Sequence, residues 1–378
     1  MAAFVLIMRN YAPQFGQCVS IGKEPAPCHY SYTRNVSHYC KKNANNLTRT
    51  MNSRQKAKDW KIPRHSEFET ELRNSSSDWF AEKGFQVHYK MPYCLDSLDN
   101  WKNNIILSEV ADYIENFKNE SEKNNKPFPL HKYAHHGLSS QAMVFNLIGP
   151  LITRNDLHPL LDILKIKGIQ ETISKAQFEY EDRNVFNEDT GQPTSIDLVL
   201  FDKIGIPKIF IESKLVEAEF GGCSVFTKGD CAGKNPINDL QDCFLHFIGR
   251  KYWDLIEKYG FTEKIASEKI CILVNYYQFF REILLSIDKD GFFVLLSDER
   301  SPVFNYKHGT KIRGLIPLLI EFVPEKYKER VVLITVQEIA DSIRKSGKHD
   351  DWINEFEIKY GLNKQQMANT RYKKLPIQ

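Results

Sequence analysis

The feature that most constrains the fold of this chain is a pair of β-prone runs joined by a short turn. The first run covers residues 196–201 and the second covers residues 208–214, and the six residues between them include a glycine and a proline. Two such runs with so short a connection are expected to pair as antiparallel strands. Because side chains alternate between the two faces of a strand, Glu212 and Lys214 should point the same way, opposite to the isoleucines of the second run.

An acid lies inside the first of these runs, where burial is expected. Asp197 stands within Ile-Asp-Leu-Val-Leu, and a charge in a buried strand is unfavourable unless a partner compensates it. A divalent cation held by Asp197 and Glu212 would do so, and their hard oxygen atoms select Mg²⁺ or Mn²⁺. Such a cation stabilises phosphate charge and activates water, and Lys214 can orient that water and offset developing charge. A structural ion pair at the strand end is the alternative.

The order of these residues resembles a known nuclease signature. Asp197, followed on the next strand by Glu212-Ser213-Lys214, resembles the PD-(D/E)xK motif, with residues 194–197 in the PD position. The motif is specific here because of its context. Glu212-Ser213-Lys214 ends the second β-prone run, and Asp197 lies in the first. The resemblance assigns Asp197, Glu212 and Lys214 to catalysis, and the two acids to Mg²⁺ or Mn²⁺.

Two flanking segments narrow the resemblance. Residues 136–142 and 217–223 resemble a bacterial group of restriction-endonuclease-like proteins within the PD-(D/E)xK superfamily. The similarity covers residues 135–362 and extends more weakly from residue 51. It implies an α/β, restriction-endonuclease-like core of helix, three strands, helix and strand, with a mixed sheet flanked by helices and an N-terminal extension. It also implies action on DNA.

Two positions depart from the signature. The proline that usually adjoins the aspartate is displaced to Pro193. Where many members carry a glutamate on the first helix, this chain offers Gln141 or, at another place, Glu179. We expect Glu179 as a third catalytic carboxylate on the neighbouring strand, with a solvated edge residue or a role for Glu181 as alternatives. Gln141 is interpreted as a surface or packing residue of its helix.

A cysteine-rich segment follows the second strand directly. Cys223, Cys231 and Cys243, with His246 one helical turn further on, offer three thiolates and one imidazole, a set that zinc accepts. Their spacing is not that of a standard zinc finger, so it favours ordinary buried cysteines, with Cys243 and Cys271 the first candidates. A structural zinc site is the hypothesis carried forward, and an iron–sulfur cluster is a third interpretation.

Composition and periodicity divide the chain into four segments. Residues 1–50 are irregular, 51–130 form a small mixed α/β region, 131–362 form the nuclease core, and 363–378 form a basic tail. Within the core, a helix capped by Ser139 or Ser140 is expected to stop at Gly149-Pro150. Further expectations are a helix over 238–259, a buried strand over 269–276, and strands over 292–296 and 331–336.

The distribution of charge matters more than the formal net charge of +3. Eight lysines and arginines lie between residues 41 and 64 against one acid, Asp59, and the tail adds four more. Such clusters suit contacts with phosphate, although a solvated arm is an equal alternative. No apolar run approaches the ~20 residues of a membrane helix, so we expect a cytoplasmic protein without a membrane contact. The oligomeric state stays open, with a dimer one alternative.

These observations predict a metal-dependent endonuclease that hydrolyses phosphodiester bonds of nucleic acid, with DNA favoured by the resemblance and defence against foreign DNA as a role on the same ground. One alternative is a catalytically inactive nuclease fold that binds nucleic acid or a protein; the joint presence of Asp197, Glu212 and Lys214 argues against it. Another alternative is a metal-dependent hydrolase of other substrates, which would have no use for the basic segment.

Overall fold

The structure is a computed structural model, and it describes residues 63–124, 126, 128–189, 191 and 193–363. Tertiary contacts divide the chain into two units, Met1–Trp60 and Lys61–Gln378, and the described residues all belong to the second. Most of the basic segment 41–64 and the four basic residues of the tail lie outside the described residues. The expectations for those segments are therefore not addressed by the structure.

Five strands form the central sheet, and four other strands form two separate two-stranded sheets. The nine strands of the described residues, in chain order, are β1 (Val87–His88), β2 (Met91–Leu95), β3 (Ile173–Asp182), β4 (Thr194–Asp202), β5 (Pro207–Lys214), β6 (Phe292–Ser297), β7 (Tyr306–His308), β8 (Lys311–Arg313) and β9 (Val331–Thr335). The central sheet has the order β3-β4-β5-β6-β9. The first three strands are antiparallel, whereas β5, β6 and β9 run parallel, so the sheet is mixed as predicted.

Helices cover both faces of the sheet. The helices that the structure describes are α1 (His65–Glu82), α2 (Ser108–Lys123), α3 (Ser140–Thr153), α4 (His158–Ile166), α5 (Ser224–Thr227), α6 (Phe244–Phe247), α7 (Tyr252–Lys258), α8 (Thr262–Ile265), α9 (Leu273–Asp288), α10 (Leu315–Ile320), α11 (Val336–Ser346) and α12 (Asp350–Lys359), with short 3₁₀ turns at Leu98–Asn104, Leu240–Asp242 and Glu325–Arg330. Among them, none is both long and apolar enough to cross a membrane.

Two hydrophobic cores lie on opposite faces of the sheet. Helices α1–α4, α11 and α12 pack on one face, against alternate residues of the strands that include Leu198 and Ile211. Helices α7, α9 and α10 pack on the other, against residues that include Val199 and Phe210. The segment from α1 to α2, expected as a separate small region, shares the first core with α3 and the sheet. This arrangement confirms the predicted α/β class, a mixed sheet flanked by helices.

The helix that begins after Ser139 extends further than predicted. Ser139 is the N-cap, and its hydroxyl accepts a hydrogen bond from the backbone N–H of Ala142. The expected stop at Gly149-Pro150 is wrong, because α3 continues to Thr153. A Cβ at Gly149 would lie 2.4 Å from a methyl carbon of Val110, so this glycine allows α2 and α3 to pack closely. Proline removes only one helical hydrogen bond, and this helix is buried along most of its length.

Two other predictions in the core are wrong. The apolar run at 269–276 is not a strand: it leads into helix α9, which begins at Leu273. A short apolar run fits a buried strand and a buried helix equally well, and here the helix forms. The single helix expected over 238–259 is replaced by a 3₁₀ turn and the short helices α6 and α7. The predicted strands at 292–296 and 331–336 are confirmed as β6 and β9.

Candidate active site

Three carboxylates form a row across three neighbouring strands. The residues on either side of Glu179 pair with the residues on either side of Asp197, so these two acids lie across from each other on β3 and β4. Continuing the β4–β5 register by one position sets Asp197 across from Glu212. The row therefore places Glu179 beside Asp197 and Glu212, the two acids that the sequence had already matched to one cation.

The strands change face at this row. Phe178 and Leu198, one position to one side of the acids, pack into the core below α3. Tyr180 and Ile196, one position to the other side, pack into the opposite core. Residues two apart in a regular strand share a face, so the alternation is interrupted at the acids. Glu179 has a backbone φ of 51° there, a conformation uncommon for residues other than glycine.

Glu212 and Lys214 point to the same face, as predicted, and contact each other. Both are almost fully buried, with 3% and 6% of their surface exposed. The ammonium nitrogen of Lys214 lies 2.7 Å from Oε1 of Glu212. The backbone N–H of Ser213, between them, donates to Oδ2 of Asp197 at 2.8 Å. The salt bridge therefore lies within β5, and the backbone hydrogen bond joins the end of β5 to the start of β4.

Helix α9 supplies a residue that the sequence analysis missed. Gln278 donates from Nε2 to Oε1 of Glu212 at 2.6 Å and accepts through Oε1 from the ammonium of Lys214 at 2.8 Å. The helix is kinked at Tyr276, whose φ of −132° and ψ of 32° are not helical. Beyond the kink, the backbone N–H groups of Tyr277 and Gln278 donate to the loop after β5. Only the fold reveals this partner, since no spacing rule connects residues 212 and 278.

The first turn of α3 supplies a second group of contacts. Gln141 donates to Oε1 of Glu179 at 2.5 Å and accepts from the backbone N–H of His131 at 2.8 Å. The neighbouring hydroxyl of Ser140 donates to Oε1 of Glu217 at 2.6 Å. Gln141 is buried, so of the two alternatives in its interpretation, a surface or a packing residue of its helix, the structure agrees with packing. Both flanking segments of the resemblance, 136–142 and 217–223, therefore border the row of acids.

Burial and mutual repulsion perturb the acids of this site. Burial, with the charge of Glu212 adding to it, raises the pKa of Glu179 to about 8, although hydrogen bonds from Gln141 and Ser195 oppose the rise. Burial also raises the pKa of Asp197 well above its ordinary value, and the charges of Glu212 and Glu179 add to this effect. A fourth acid missed by the sequence analysis, Glu282 of α9, has its pKa raised by burial and by Glu212.

Lys214 is a cation in direct contact with this group of acids. Burial alone would lower the pKa of Lys214, but the negative charges of Glu212 and Glu217 outweigh it and hold that pKa above its ordinary value. Lys214 is therefore a persistent ammonium. A single positive charge cannot balance the row when all three of its acids are ionised, and a divalent cation would relieve their repulsion. The oxygen donors of Glu179, Asp197 and Glu212 are of the kind that Mg²⁺ or Mn²⁺ prefers. Their oxygen atoms do not all lie within 4.8 Å of one another in the described structure, so binding of the cation would draw them closer together.

The predicted cysteine and histidine group is only partly brought together. Cys223, Cys231 and Cys243 line one cavity, but the fourth cysteine on its wall is Cys271. His246 does not line this cavity, and its Nδ1 lies 3.8 Å from a carboxylate oxygen of Asp254. Cys271, interpreted as a core residue of a strand, therefore lies with the other three cysteines.

A second metal-binding geometry lies near the loop before α3. Cys94 of β2 and the adjacent residues His135 and His136 bring three possible ligand atoms within 4.8 Å of one another. The sequence analysis assigned no role to these residues, because 40 residues separate the cysteine from the histidines in the chain. An isolated β-bridge between Cys94 and His136 joins the two segments in the structure.

Comparison with known families agrees with this geometry. A family model described as "Restriction Endonuclease associating with ARP" matches residues 73–361. Neither the curated proteins nor the solved structures gave a match. The matched range includes the row of acids, Lys214 and both flanking segments, and it covers well over half of the chain. The chain belongs to the family described as Restriction Endonuclease associating with ARP.

Proposed function

We propose that this protein is a nuclease that hydrolyses DNA phosphodiester bonds with the help of Mg²⁺ or Mn²⁺. The observation that carries the proposal is the row of Glu179, Asp197 and Glu212, with Lys214 bonded to the last of them. The description of the family names a restriction endonuclease, and DNA as the substrate is taken from that description. A role in defence against foreign DNA rests on the same ground.

Each residue of the site has a task in such a reaction. Asp197 and Glu212 would hold the cation, with Glu179 as a third oxygen donor. The cation would supply stabilisation of the negative charge that develops on the phosphate. Lys214 keeps its proton, so it attracts the phosphate, orients the attacking water and offsets negative charge in the transition state. Gln278 fixes the orientation of Glu212 and Lys214.

The proposal is tested with purified protein and supercoiled, linear and single-stranded DNA, with and without Mg²⁺ or Mn²⁺. Cleavage should require the cation. Asp197→Asn, Glu212→Gln and Lys214→Met should each lower the cleavage rate by roughly 100-fold or more, because each removes a group that acts on the reacting phosphate. DNA binding should be retained, and neutralising an acid should strengthen it, since a negative charge near the phosphate is lost.

Matched controls lie on the same strand and in the loop that follows it. Lys208→Met replaces another lysine of β5, and Glu219→Gln replaces an exposed glutamate of that loop; both should cleave like the unmodified protein. Melting temperatures identify any variant that fails to fold. Undiminished cleavage in all three site variants would refute the assignment. An unmodified protein that binds DNA but never cleaves it would instead support an inactive nuclease fold that acts as a binding module.

A further inference from the structure

Four cysteines that are distant in sequence converge on one small cavity. Cys223 follows the loop after β5, Cys231 and Cys243 belong to the segment before α6, and Cys271 precedes α9. Together they line a cavity of about 20 Å³ whose other walls are apolar. The structure describes no disulfide among them, since all four are free thiols. We refer to Cys223, Cys231, Cys243 and Cys271 as the cysteine cluster.

Backbone and side-chain N–H groups are directed at the sulfur atoms of this cluster. The backbone N–H of Gly233 donates to Sγ of Cys231 at 3.3 Å, and the indole N–H of Trp253 donates to Sγ of Cys243 at 3.3 Å. A backbone N–H from α9 also reaches the thiol of Cys271. A neutral thiol is a weak acceptor, whereas a thiolate bound to a metal accepts such bonds strongly, and they tune clusters of iron and sulfur.

The separation of the sulfur atoms distinguishes between two kinds of metal group. A single zinc ion with Zn–S bonds of about 2.3 Å holds its four sulfurs about 3.8 Å apart. Within the described part of the chain, the only three ligand atoms that approach within 4.8 Å of one another are those of Cys94, His135 and His136. The cysteine cluster is therefore wider than a zinc tetrahedron, and it surrounds a cavity. Iron and inorganic sulfide would occupy the space between four such thiolates.

We propose that Cys223, Cys231, Cys243 and Cys271 bind an iron–sulfur cluster. Each thiol loses its proton when its sulfur binds iron, so four protons are released on assembly. His246, which the sequence suggested as a fourth ligand, is not part of this set. The proposal stands independently of the nuclease reaction, because it rests on the cavity, on the directed N–H groups and on the separation of the sulfur atoms.

The cluster would hold the segment that positions Gln278. The backbone N–H of Cys223 donates to the carbonyl of Leu273 at 3.0 Å, and that of Gln278 donates to the carbonyl of Phe220 at 3.0 Å. A Cβ at Gly222 would lie 2.4 Å from the carbonyl oxygen of Val274, so glycine is required for this close approach. An iron–sulfur cluster bound to both segments would hold the loop after β5 against the start of α9. It would therefore determine the orientation of Gln278.

The test is purification of the full chain without oxygen or chelator, followed by analysis of iron, acid-labile sulfide, visible absorption and electron paramagnetic resonance. Iron and sulfide should be present in equal amounts, at about two or four of each per chain. Cys231→Ser and Cys271→Ser should each lose most of both. His246→Asn and Cys94→Ser, which lie outside the cysteine cluster, should retain them.

Three results would overturn the proposal: folded protein without iron and sulfide, zinc in place of iron at the cysteine cluster, or loss of iron in His246→Asn. Cys271 is buried, so its serine variant could fail to fold. Cys231 is more exposed, so its serine variant should fold. The iron content of that variant then decides the test. If iron is found while every Mg²⁺-dependent cleavage assay is negative, the nuclease proposal fails and this one survives.

A different observation carries a second proposal. The backbone N–H of Leu95 donates to the carbonyl of His135 at 3.0 Å, so β2 holds the two histidines beside Cys94. Their rings are 4.4 Å apart and nearly perpendicular, and Nδ1 of His135 is buried without a partner. We infer that Cys94, His135 and His136 bind one zinc ion, since zinc accepts two imidazoles and a thiolate with a fourth position for water.

This zinc would fix the loop that leads to Ser140 and Gln141. The unmodified protein should contain about one zinc per chain, and Cys94→Ser and His136→Asn should each lose it while retaining their iron. His158→Asn, a substitution of an exposed histidine, should keep the zinc. Absence of zinc from the unmodified protein, or unchanged zinc in both ligand variants, would rule the site out.

Discussion

Glu179 is the acid of the site that has an uncommon backbone conformation. Its backbone adopts a positive φ, which costs on the order of 1–3 kcal/mol and persists only where surrounding structure enforces it. Its two carboxylate oxygens accept from Gln141 and Ser195. Such strain at a site of perturbed acids is typical of functional positions, which is why Glu179 is favoured here over the alternative of a solvated edge residue.

The raised pKa of Glu179 leads to a prediction about pH. In the folded protein this carboxyl binds its proton up to a pKa of about 8, whereas in the unfolded chain it loses the proton near 4.5. The folded state therefore binds more protons between those values, and the metal-free protein should lose stability as the pH rises through that window. Mg²⁺ or Mn²⁺ needs the ionised acid, so the increase in melting temperature caused by the cation should grow with pH.

The matched comparison for this prediction is Glu179→Gln, in which the stability should fall less over the same pH window; a smaller fall should remain, because burial also raises the pKa of Asp197 and that of Glu282. Glu219→Gln, at an exposed position, should behave as the unmodified protein. Thermal melting from pH 5 to pH 9, with and without the cation, measures both effects. A metal-induced increase in melting temperature that stays constant over this range would contradict the electrostatic coupling described for the site.

At the scale of single elements, helix α9 decides how the site is assembled. The kink at Tyr276 ends the first turn, and the helix resumes with Tyr277 and Gln278. The N–H groups at the start of this second part have no partners within the helix, and they bond the carbonyls of Phe220 and Gly221 instead. The kink therefore docks the helix on the loop after β5 and places Gln278 beside Glu212.

Replacing Gln278 tests this arrangement. Gln278→Leu removes the hydrogen bonds to Glu212 and Lys214. We expect the cleavage rate to fall by roughly 10- to 100-fold, which is typical when a group that orients metal ligands is lost. The affinity for the cation should fall as well, whereas DNA affinity should hardly change. Gln170→Leu replaces an exposed glutamine and is the control. Equal loss of DNA binding and cleavage would instead indicate a general defect of the fold.

The sequence allowed the strands to be predicted but not the contacts made by α9. The alternation of residues 208–214 and the acid within residues 196–201 were sufficient to place Asp197, Glu212 and Lys214 on neighbouring strands, because strand geometry is local. Gln278 and Glu282 lie on α9, whose first residues were predicted to belong to a strand over 269–276. An apolar run as short as this one has no period that distinguishes a strand from a buried helix. Cys271 was separated from the other cysteines for the same reason.

At the scale of the whole molecule, the site lies at a junction of three separate parts of the chain. The first turn of α3 contributes Gln141, the strands contribute the row of acids, and α9 contributes Gln278. Residues 135–141 are tied to β2 through the bridge at Cys94. Such long-range convergence depends on the packing of the two cores, and no local pattern of sequence could have predicted which partners meet.

The last prediction concerns the segment before the described residues. Residues 41–58 contain six lysines and arginines, and deletion of residues 1–60, which ends at the boundary of the second unit, removes them all. If each contacts a phosphate, the slope of log affinity against log salt should become shallower by about 5, at roughly 0.9 per contact. DNA affinity at low salt should fall, while the cleavage rate at saturating DNA should be unchanged, because the acids and Lys214 remain.

A full-length variant in which the same six residues, Lys41, Lys42, Arg49, Arg54, Lys56 and Lys58, are changed to glutamine separates charge from chain length. Its slope should also become shallower by about 5, because the attraction to phosphate is electrostatic and does not depend on the length of the segment. Any further decrease in the deletion comes from Arg9, Lys23 and Arg34, which the deletion removes as well. Fluorescence anisotropy of labelled duplex DNA over a series of salt concentrations measures the slope. If the slope is the same for all three proteins, this segment does not contact phosphate, and the solvated-arm interpretation of its charges holds.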